Sequence, residues 1–263
     1  MAARTIFRHT WSVVLILLVV ACEVTTVTAQ SKRSPSDTVK EFYKAMRAKR
    51  FREAFSISIY KPAIEGLTDA EFEDLRNDFE RLALAIAEKI PGDVSVAGEQ
   101  ISGDRATVFV KVKDPDGADQ TEPVMLMLLD GSWILGDKDN QAIVAKAGKE
   151  FFFTARIDTH HNEVQDIFKR IALAQLAYSQ QRNGQFGDLA ALITAGLLPK
   201  DLEGTETTGY RFRVNVSADK KSWHATAEPA QYGRTGKLSF YMDAAGVRNG
   251  DVAGKPLPIQ PAP

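Results

Sequence analysis

Twice along this chain of 263 residues, apolar residues spaced three or four apart give way to apolar residues spaced two apart. The first change of period lies at Pro91-Gly92 and the second follows residues 196–199. A repeat of three or four is typical of a helix with one buried face, and a repeat of two is typical of a strand. Helices followed by antiparallel strands, twice over, predict an α+β fold with two domains.

The first predicted domain covers residues 36–140. A helix is indicated at Ser36, and a second one at Thr68, where Glu71 three residues later completes a capping box. The stripe of the second helix comprises Phe72, Leu75, Phe79, Leu82, Ile86 and Ile90. Strands are predicted at 94–96, 106–112, 124–129 and 133–135, separated by turn residues.

Three pieces of this domain resemble the nuclear transport factor 2-like superfamily in its lipoprotein-associated branch. They are Ser-Pro-Ser-Asp-Thr-Val-Lys-Glu-Phe-Tyr at 34–43, the segment 51–55, and Asp-Gly-Ser-Trp-Ile-Leu-Gly-Asp at 130–137. The resemblance implies a cone, in which a curved sheet wraps around a long helix. It also implies a conical pocket, which some relatives use for binding or catalysis.

The predicted cone offers few groups for catalysis. The family resemblance implies that an enzyme would need an acid, a tyrosine or a histidine in the apolar pocket. Tyr43 and Tyr60 could reach such a pocket, but a tyrosine beside an apolar helix face is more typical of the core. We therefore expect no enzyme, no catalytic residue and no cofactor. A small-molecule enzyme that uses the cone pocket is kept as an alternative.

The second predicted domain covers residues 160–252, after a predicted linker at 141–159 in which Phe-Phe-Phe at 151–153 looks exposed. A helix is indicated from about His160 to Arg182, and strands at 210–216, 222–227 and 238–242.

Parts of this domain resemble the globular domain of type IV pilins and type II secretion pseudopilins. The parts are Arg-Ile-Ala-Leu-Ala-Gln-Leu-Ala-Tyr at 170–178, Gly-Gln-Phe-Gly-Asp-Leu-Ala-Ala-Leu at 184–192, and Ser-Phe-Tyr-Met-Asp-Ala-Ala-Gly-Val-Arg at 239–248. The resemblance implies a long helix laid across a small antiparallel sheet.

The hydrophobic N-terminal half-helix of a polymerising pilin is absent from this sequence. Asp158, His160, His161 and Glu163 stand in its place, and burying such groups unpaired in a filament core is costly. We therefore expect a monomer. The two adjacent histidines point in divergent directions and lack partners at ligand spacing, which predicts a solvent-exposed pair and no metal site.

The first thirty residues have the layout of an export signal. Arg4 and Arg8 precede an apolar run at 11–21, which is shorter than the about 20 residues that cross a membrane. Val-Val-Ala-Cys at 19–22 resembles a bacterial lipobox, which implies lipidation of Cys22, a signal peptide at 1–21 and a tether at 22–35. Cleavage after Ala29 is the alternative, and it would release a soluble periplasmic or secreted protein.

Composition narrows the function further. The net charge of -1 gives no indication of a nucleic-acid partner, and a single cysteine excludes an internal disulfide. Residues 253–263 are predicted to form a proline-rich extended tail.

We expect a non-catalytic bacterial cell-envelope lipoprotein on the outer membrane or the periplasmic face. It would bind the membrane through its lipid and an unknown envelope protein as a binding or scaffold module. The alternative is an accessory protein of a pilus or type II secretion-like machine.

Overall fold

The computed structural model describes residues 33–90 and 92–258. The signal peptide, Cys22 and almost all of the predicted tether lie outside the described residues. The described chain contains helices and two separate four-stranded antiparallel sheets, which confirms the α+β prediction. No helix in the described ranges is long and apolar enough to cross a membrane.

The first half consists of short helices followed by sheet A. The helices are α1 (Pro35–Arg47), α2 (Phe51–Ser56), α3 (Lys61–Glu65), α4 (Asp69–Asp74) and α5 (Arg76–Lys89). The strands are β1 (Val96–Ser102), β2 (Arg105–Lys113), β3 (Asp119–Leu129) and β4 (Ser132–Leu135), adjacent in that order.

The second half begins with α6 (Lys138–Ala147) and the long α7 (Glu150–Gln181), and ends with sheet B. Between them lie α8 (Leu189–Thr194) and a short 3₁₀ helix (Lys200–Glu203). The strands of sheet B are β5 (Tyr210–Val216), β6 (Trp223–Pro229), β7 (Leu238–Asp243) and β8 (Gly246–Asp251), again adjacent in chain order.

The capping box at Thr68 is present, but the helix that it starts is shorter than predicted. The Thr68 hydroxyl accepts from the Glu71 amide, and the Glu71 carboxylate accepts from the Thr68 amide. The helix ends at Asp74 and α5 starts anew at Arg76, which shifts the phase of the apolar stripe. Leu82 is therefore 43% exposed and not part of the buried face.

Residues 35–135, with helices α1–α5 and sheet A, are called the cone. Aromatic rings fill the space between these helices and sheet A. Phe51, Phe55 and Phe79 are almost fully buried, and the rings of Phe55 and Phe79 lie 5.1 Å apart between centroids. Val108 and Val110 cover them from the inner face of β2.

The segment predicted as a linker is helical, and α7 begins at Glu150 and not near His160. Its aromatic triplet is not exposed: Phe153 is 1% exposed, and the Phe152 ring lies 5.0 Å from that of Phe79. Packing against the cone stabilises the first turns of α7. The spacing of apolar residues within one segment does not show such packing between distant segments. The division into two domains stays a prediction.

From Val164 onward, α7 lies across sheet B. Val164, Phe168 and Ile171 are buried against the inner face of the sheet, where Phe168 contacts Phe212 and Phe240 edge-on.

Ion pairs connect the cone to α7 and to the loop before β7. Arg156 is 8% exposed and bonds to Asp74 and Asp78, the latter at 2.7 Å. Glu71 pairs with Lys149 at 3.0 Å and with Arg234 at 3.5 Å.

Candidate functional site

A cleft opens at the edge of sheet A because β3 is much longer than β4. Strand β4 pairs only with residues 126–129 of β3, so residues 119–125 have β2 on one side and no described strand on the other. Pro123 fits this free edge because it has no N–H to donate to a neighbouring strand. Helices α1 and α6 close the two sides around a cavity of about 430 Å³, which we call the edge cleft.

The wall of the edge cleft is apolar. Phe42, Val124 and Leu135 form its inner part. Met125 and Ile143 stand at the opening, where they are 53% and 59% exposed. Apolar side chains exposed beside a cavity are suited to covering the apolar part of a ligand.

Two phenols and two carboxylates line the same cleft, those of Tyr43, Tyr60, Glu122 and Asp137, together with the polar side chains of Ser58 and Asn140. Lys89 donates to Glu122 at 3.1 Å. Asp137 caps α6, because its carboxylate accepts from the Asn140 amide at 2.9 Å.

Burial, nearby charge or hydrogen bonding shifts the pKa of three of these groups away from neutral pH. Burial, followed by the nearby Glu122 carboxylate, raises the pKa of Tyr43. Burial, followed by Asp137, raises the pKa of Tyr60. The backbone hydrogen bond from Asn140 lowers the pKa of Asp137. At neutral pH both tyrosines are therefore protonated and Asp137 is ionised.

Gly136 allows the turn that brings Asp137 into the cleft. Its φ is +116°, in a region that only glycine adopts freely, and its amide donates to the Met125 carbonyl at 2.8 Å. A Cβ at this position would lie 2.5 Å from Ile59 Cγ2, so a side chain cannot fit without moving the wall of the cleft.

The structure brings together the two tyrosines that the sequence singled out, and it adds a carboxylate that the sequence analysis missed. Tyr43 and Tyr60 line the same cleft as Glu122. Glu122 escaped notice because the strand was predicted to begin only at Val124. Continuing the alternation back from Val124 would have placed Glu122 on the same face, so the signal was available.

The prediction of a solvent-exposed histidine pair is wrong. His160 is 4% exposed, and its Nδ1 donates to the Thr235 carbonyl at 2.8 Å. His161 is half-buried, and its Nε2 accepts from the amides of Lys237 and Leu238. The loop before β7 packs on α7 here and covers both rings. Within the described residues, no group of three or more histidine, cysteine, aspartate or glutamate side chains could hold a metal ion.

Comparisons with known proteins give little information. No protein-family model matches the chain, and no curated protein matches it. Among solved structures, the chain is similar to an NTF2-like transpeptidase from Campylobacter jejuni with 20% sequence identity and a TM-score of 0.29. The match covers 40% of this chain and 99% of the other. At that TM-score the likeness is weak, and the pilin-like resemblance of the second half stays a prediction.

Proposed function

We propose that this chain is a non-catalytic binding module of the bacterial cell envelope, held to a membrane by a lipid on Cys22. Its edge cleft binds a small ligand that has an apolar body and a head group able to donate hydrogen bonds. The observation that carries the proposal is the combination of an apolar wall with two tyrosines and two carboxylates in one open cavity.

The polar groups favour a donor head group, and a cationic one most of all. Asp137 is ionised at neutral pH, and the Lys89 ammonium pairs with Glu122 from the exposed side. Two carboxylates that line one cavity attract a cation and disfavour an anion. The half-buried rings of Tyr43 and Tyr60 offer hydroxyls to the same head group.

The same groups argue against proton-transfer catalysis, which requires a side chain with a pKa near the working pH. The shifts at Tyr43, Tyr60 and Asp137 all lead away from neutrality. The buried polar residues of the cone are Thr38 and Ser58, and Arg156 of α7 bonds to it. Threonine, serine and arginine side chains do not titrate near neutral pH. The alternative of an enzyme would therefore need a group that these residues do not provide.

The apolar part of the proposal is tested with the neutral fluorescent dye N-phenylnaphthylamine. Ile143→Glu puts a charge at the opening of the cleft, at a side chain exposed enough that folding is unaffected. We expect it to weaken dye binding about tenfold, the result of losing one well-buried apolar contact. Ile101→Glu, at a residue of similar exposure on β1 outside the cleft lining, is the matched control. Equal binding by the two variants would refute the proposed site.

The head group is tested by displacing the dye with octylamine and with octanol. We expect the amine to compete more strongly, and Glu122→Gln to reduce that preference. Asp116→Asn removes the same charge at an exposed turn and should leave the preference intact. An amine that competes no better than the alcohol would remove the case for a cationic ligand.

The anchor is tested by fractionation. Two acyl chains hold a protein at a membrane where one chain does not, so the intact chain should sediment with membranes and Cys22→Ser should release it. Release of both proteins to the same extent would instead favour cleavage after Ala29.

An accessory role beside a pilus or type II secretion-like machine is the second candidate. What supports this role is an apolar surface on helix α7, where Leu173 and Leu176 are 67% and 56% exposed. We expect a photo-crosslinker at Leu173 to capture a component of such a machine, whereas one at exposed Gln165 should not. The absence of any such product at Leu173 would count against this role.

A further inference from the structure

The outer face of sheet B, which is turned away from α7, is buried in its middle although none of the described helices covers it. The strand register places Arg213, Thr226, Glu228, Ser239, Tyr241 and Arg248 on this face. Ser239 is 0% exposed and Tyr241 is 4% exposed. Side chains on the outer face of a sheet are buried either by neighbouring side chains of that face or by another segment that covers them.

The covering segment includes residues 252–258, which we call the tail. The Ser239 hydroxyl donates to the Lys255 carbonyl at 2.7 Å, and the Arg248 guanidinium donates to the Pro258 carbonyl at 2.7 Å. Leu257 lies over Gly250, where a Cβ would come within 3.3 Å of its Cδ2 atom. The sequence predicted a stiff, extended tail, and its described part is packed on the sheet.

These contacts share one feature with the recognition of proline-rich peptides, which is that side chains donate to backbone carbonyls. Proline has no N–H, so an extended proline-rich segment is recognised through its carbonyls and through aromatic surfaces. Here side-chain donors bind two tail carbonyls. Arg248 stacks on the Tyr241 ring at 4.2 Å, and His224 stacks on the same ring with centroids 5.4 Å apart.

The tail is held lightly enough to be exchanged. None of the tail residues is fully buried: Val252, Gly254 and Leu257 are half-buried, and the other four are exposed. A segment with so little buried surface opens at low cost. The tail of a second copy would offer the same contacts and would lose the advantage of being tethered, so it would not displace the first. A displacing segment must therefore add contacts of its own.

Arginines on the same face indicate what those contacts are. Arg211 is exposed and belongs to the face by register, and Arg213 has half of its side chain in solvent beside Glu228. An acidic residue next to the prolines could pair with these guanidinium groups, whereas Lys255 in the tail cannot.

We propose that the outer face of sheet B is a docking groove for an extended, proline-rich segment with acidic residues, contributed by another protein. The tail occupies this groove until that segment displaces it. This inference is independent of the edge cleft and of the membrane anchor.

The test uses the full chain with Leu257→Asp, which loosens the tail and leaves the groove unchanged. The probe is the fluorescein-labelled peptide Lys-Pro-Leu-Pro-Ile-Gln-Pro-Ala-Pro, which copies residues 255–263. A tethered segment competes with a free one, so the peptide should bind the variant about tenfold more tightly than the unmodified chain. The chain truncated after Gly254 should bind it at least as well. Equal binding to the unmodified chain and to both variants would overturn the proposal.

Two arginine variants in the Leu257→Asp background distinguish binding in the groove from a general effect of positive charge on peptide binding. Arg248→Gln should weaken the peptide several-fold, whereas Arg211→Gln should leave it unchanged. A second peptide with Gln260→Glu should bind more tightly than the first, and Arg211→Gln should abolish that gain. Equal effects of the two substitutions on the first peptide would overturn the proposal. A full-chain dimer that disappears on truncation would place the tail of a second copy in the groove and would also overturn it.

Discussion

The two sheets are both four-stranded meanders, yet they leave different surfaces open. In sheet A the third strand has 11 residues and the fourth has 4, so part of β3 has no neighbour and a cleft opens beside it. In sheet B the strands have 7, 7, 6 and 6 residues, and their ends nearly match. The comparison indicates that a mismatch in strand length created the cavity of the first half, whereas matched strands in the second half left a continuous face for the tail.

The halves also differ in how they use α7, which has 32 residues. The first turns of α7 contact the cone through Phe153 and Arg156. From Val164 onward the helix packs against sheet B. One rigid helix therefore contributes to both cores, and coupling between the halves depends on its first turns and on the ion pairs of Arg156.

The largest expected effect comes from glycines in left-handed conformation, one in each half. Gly136→Ala should cost roughly 2–5 kcal/mol, because a positive φ and a clash with Ile59 add together. Gly233→Ala also has a positive φ but meets nothing within 4 Å, so it should cost only about 1–2 kcal/mol. Urea unfolding measures both. Equal losses would mean that Ile59 moves aside and that the cleft wall is softer than we describe.

The second prediction concerns coupling between the halves. Arg156→Ala leaves Asp78 without its buried partner and should cost about 2–4 kcal/mol. The matched control is Arg76→Ala, at an exposed arginine that pairs with Glu73, which should cost less than about 1 kcal/mol.

Tryptophan fluorescence shows whether the loss at Arg156 separates the halves. Trp133 lies in sheet A and Trp223 in sheet B, so variants that lack Trp11 and retain only one of these two report on one half each. We expect the two unfolding curves to diverge more in Arg156→Ala than in the unmodified chain. Curves that stay coincident would show that helix α7 alone couples the halves.

Local patterns in the sequence predicted the parts of the fold that depend on local forces. Strand β5 has the predicted bounds, and the capping box at Thr68 forms as expected. The cap connects residues that are near in sequence, and the strand pattern alternates along one strand. Tyr43 and Tyr60 were named as residues that could reach a pocket, although a tyrosine beside an apolar helix face is more typical of the core.

The missed features all depend on contacts between distant segments. The first turns of α7 pack against residues of the cone that are distant in sequence. Residues 151–153 show no apolar repeat of their own, so they were predicted to be exposed. The histidines are covered by a loop about 75 residues later in the chain, as the bond from His160 to Thr235 illustrates. The edge cleft depends on residues 119–123 of β3, which extend the strand beyond its predicted start and are held by pairing with β2.

The third prediction compares one helix cap in each half. Thr68 and Asp188 each accept from the backbone amide three residues on, Thr68 at the start of α4 and Asp188 at the start of α8. Replacing either one by alanine should cost about 1 kcal/mol. Thr68→Ala should shift the transition seen by Trp133, and Asp188→Ala that seen by Trp223. If both probes respond equally to either variant, the halves unfold as one cooperative unit.

The smallest expected effects depend on pH, because the two groups concerned, His161 and Glu71, are only partly buried and solvent screens their interactions. Burial, with further contributions from His160 and Lys237 and an opposing one from Asp158, lowers the pKa of His161 below its ordinary value of 6.5. The unfolded chain then binds the proton first, so stability present above about pH 6.5 is lost as the pH falls through the lowered pKa.

Glu71 titrates in a separate window. The Thr68 amide and then the Lys149 side chain lower its pKa from 4.5 to about 2, so its contribution is present above pH 4.5 and is lost as the pH falls toward 2. Urea unfolding between about pH 8 and about pH 3 should therefore show two successive losses. His161→Gln should remove the first loss, because its amide oxygen still accepts from the loop, and Glu71→Gln should reduce the second. His224→Gln should leave both in place. If the first loss persists in His161→Gln, the loop before β7 does not depend on this histidine, and the contact between α7 and sheet B is insensitive to mild acid.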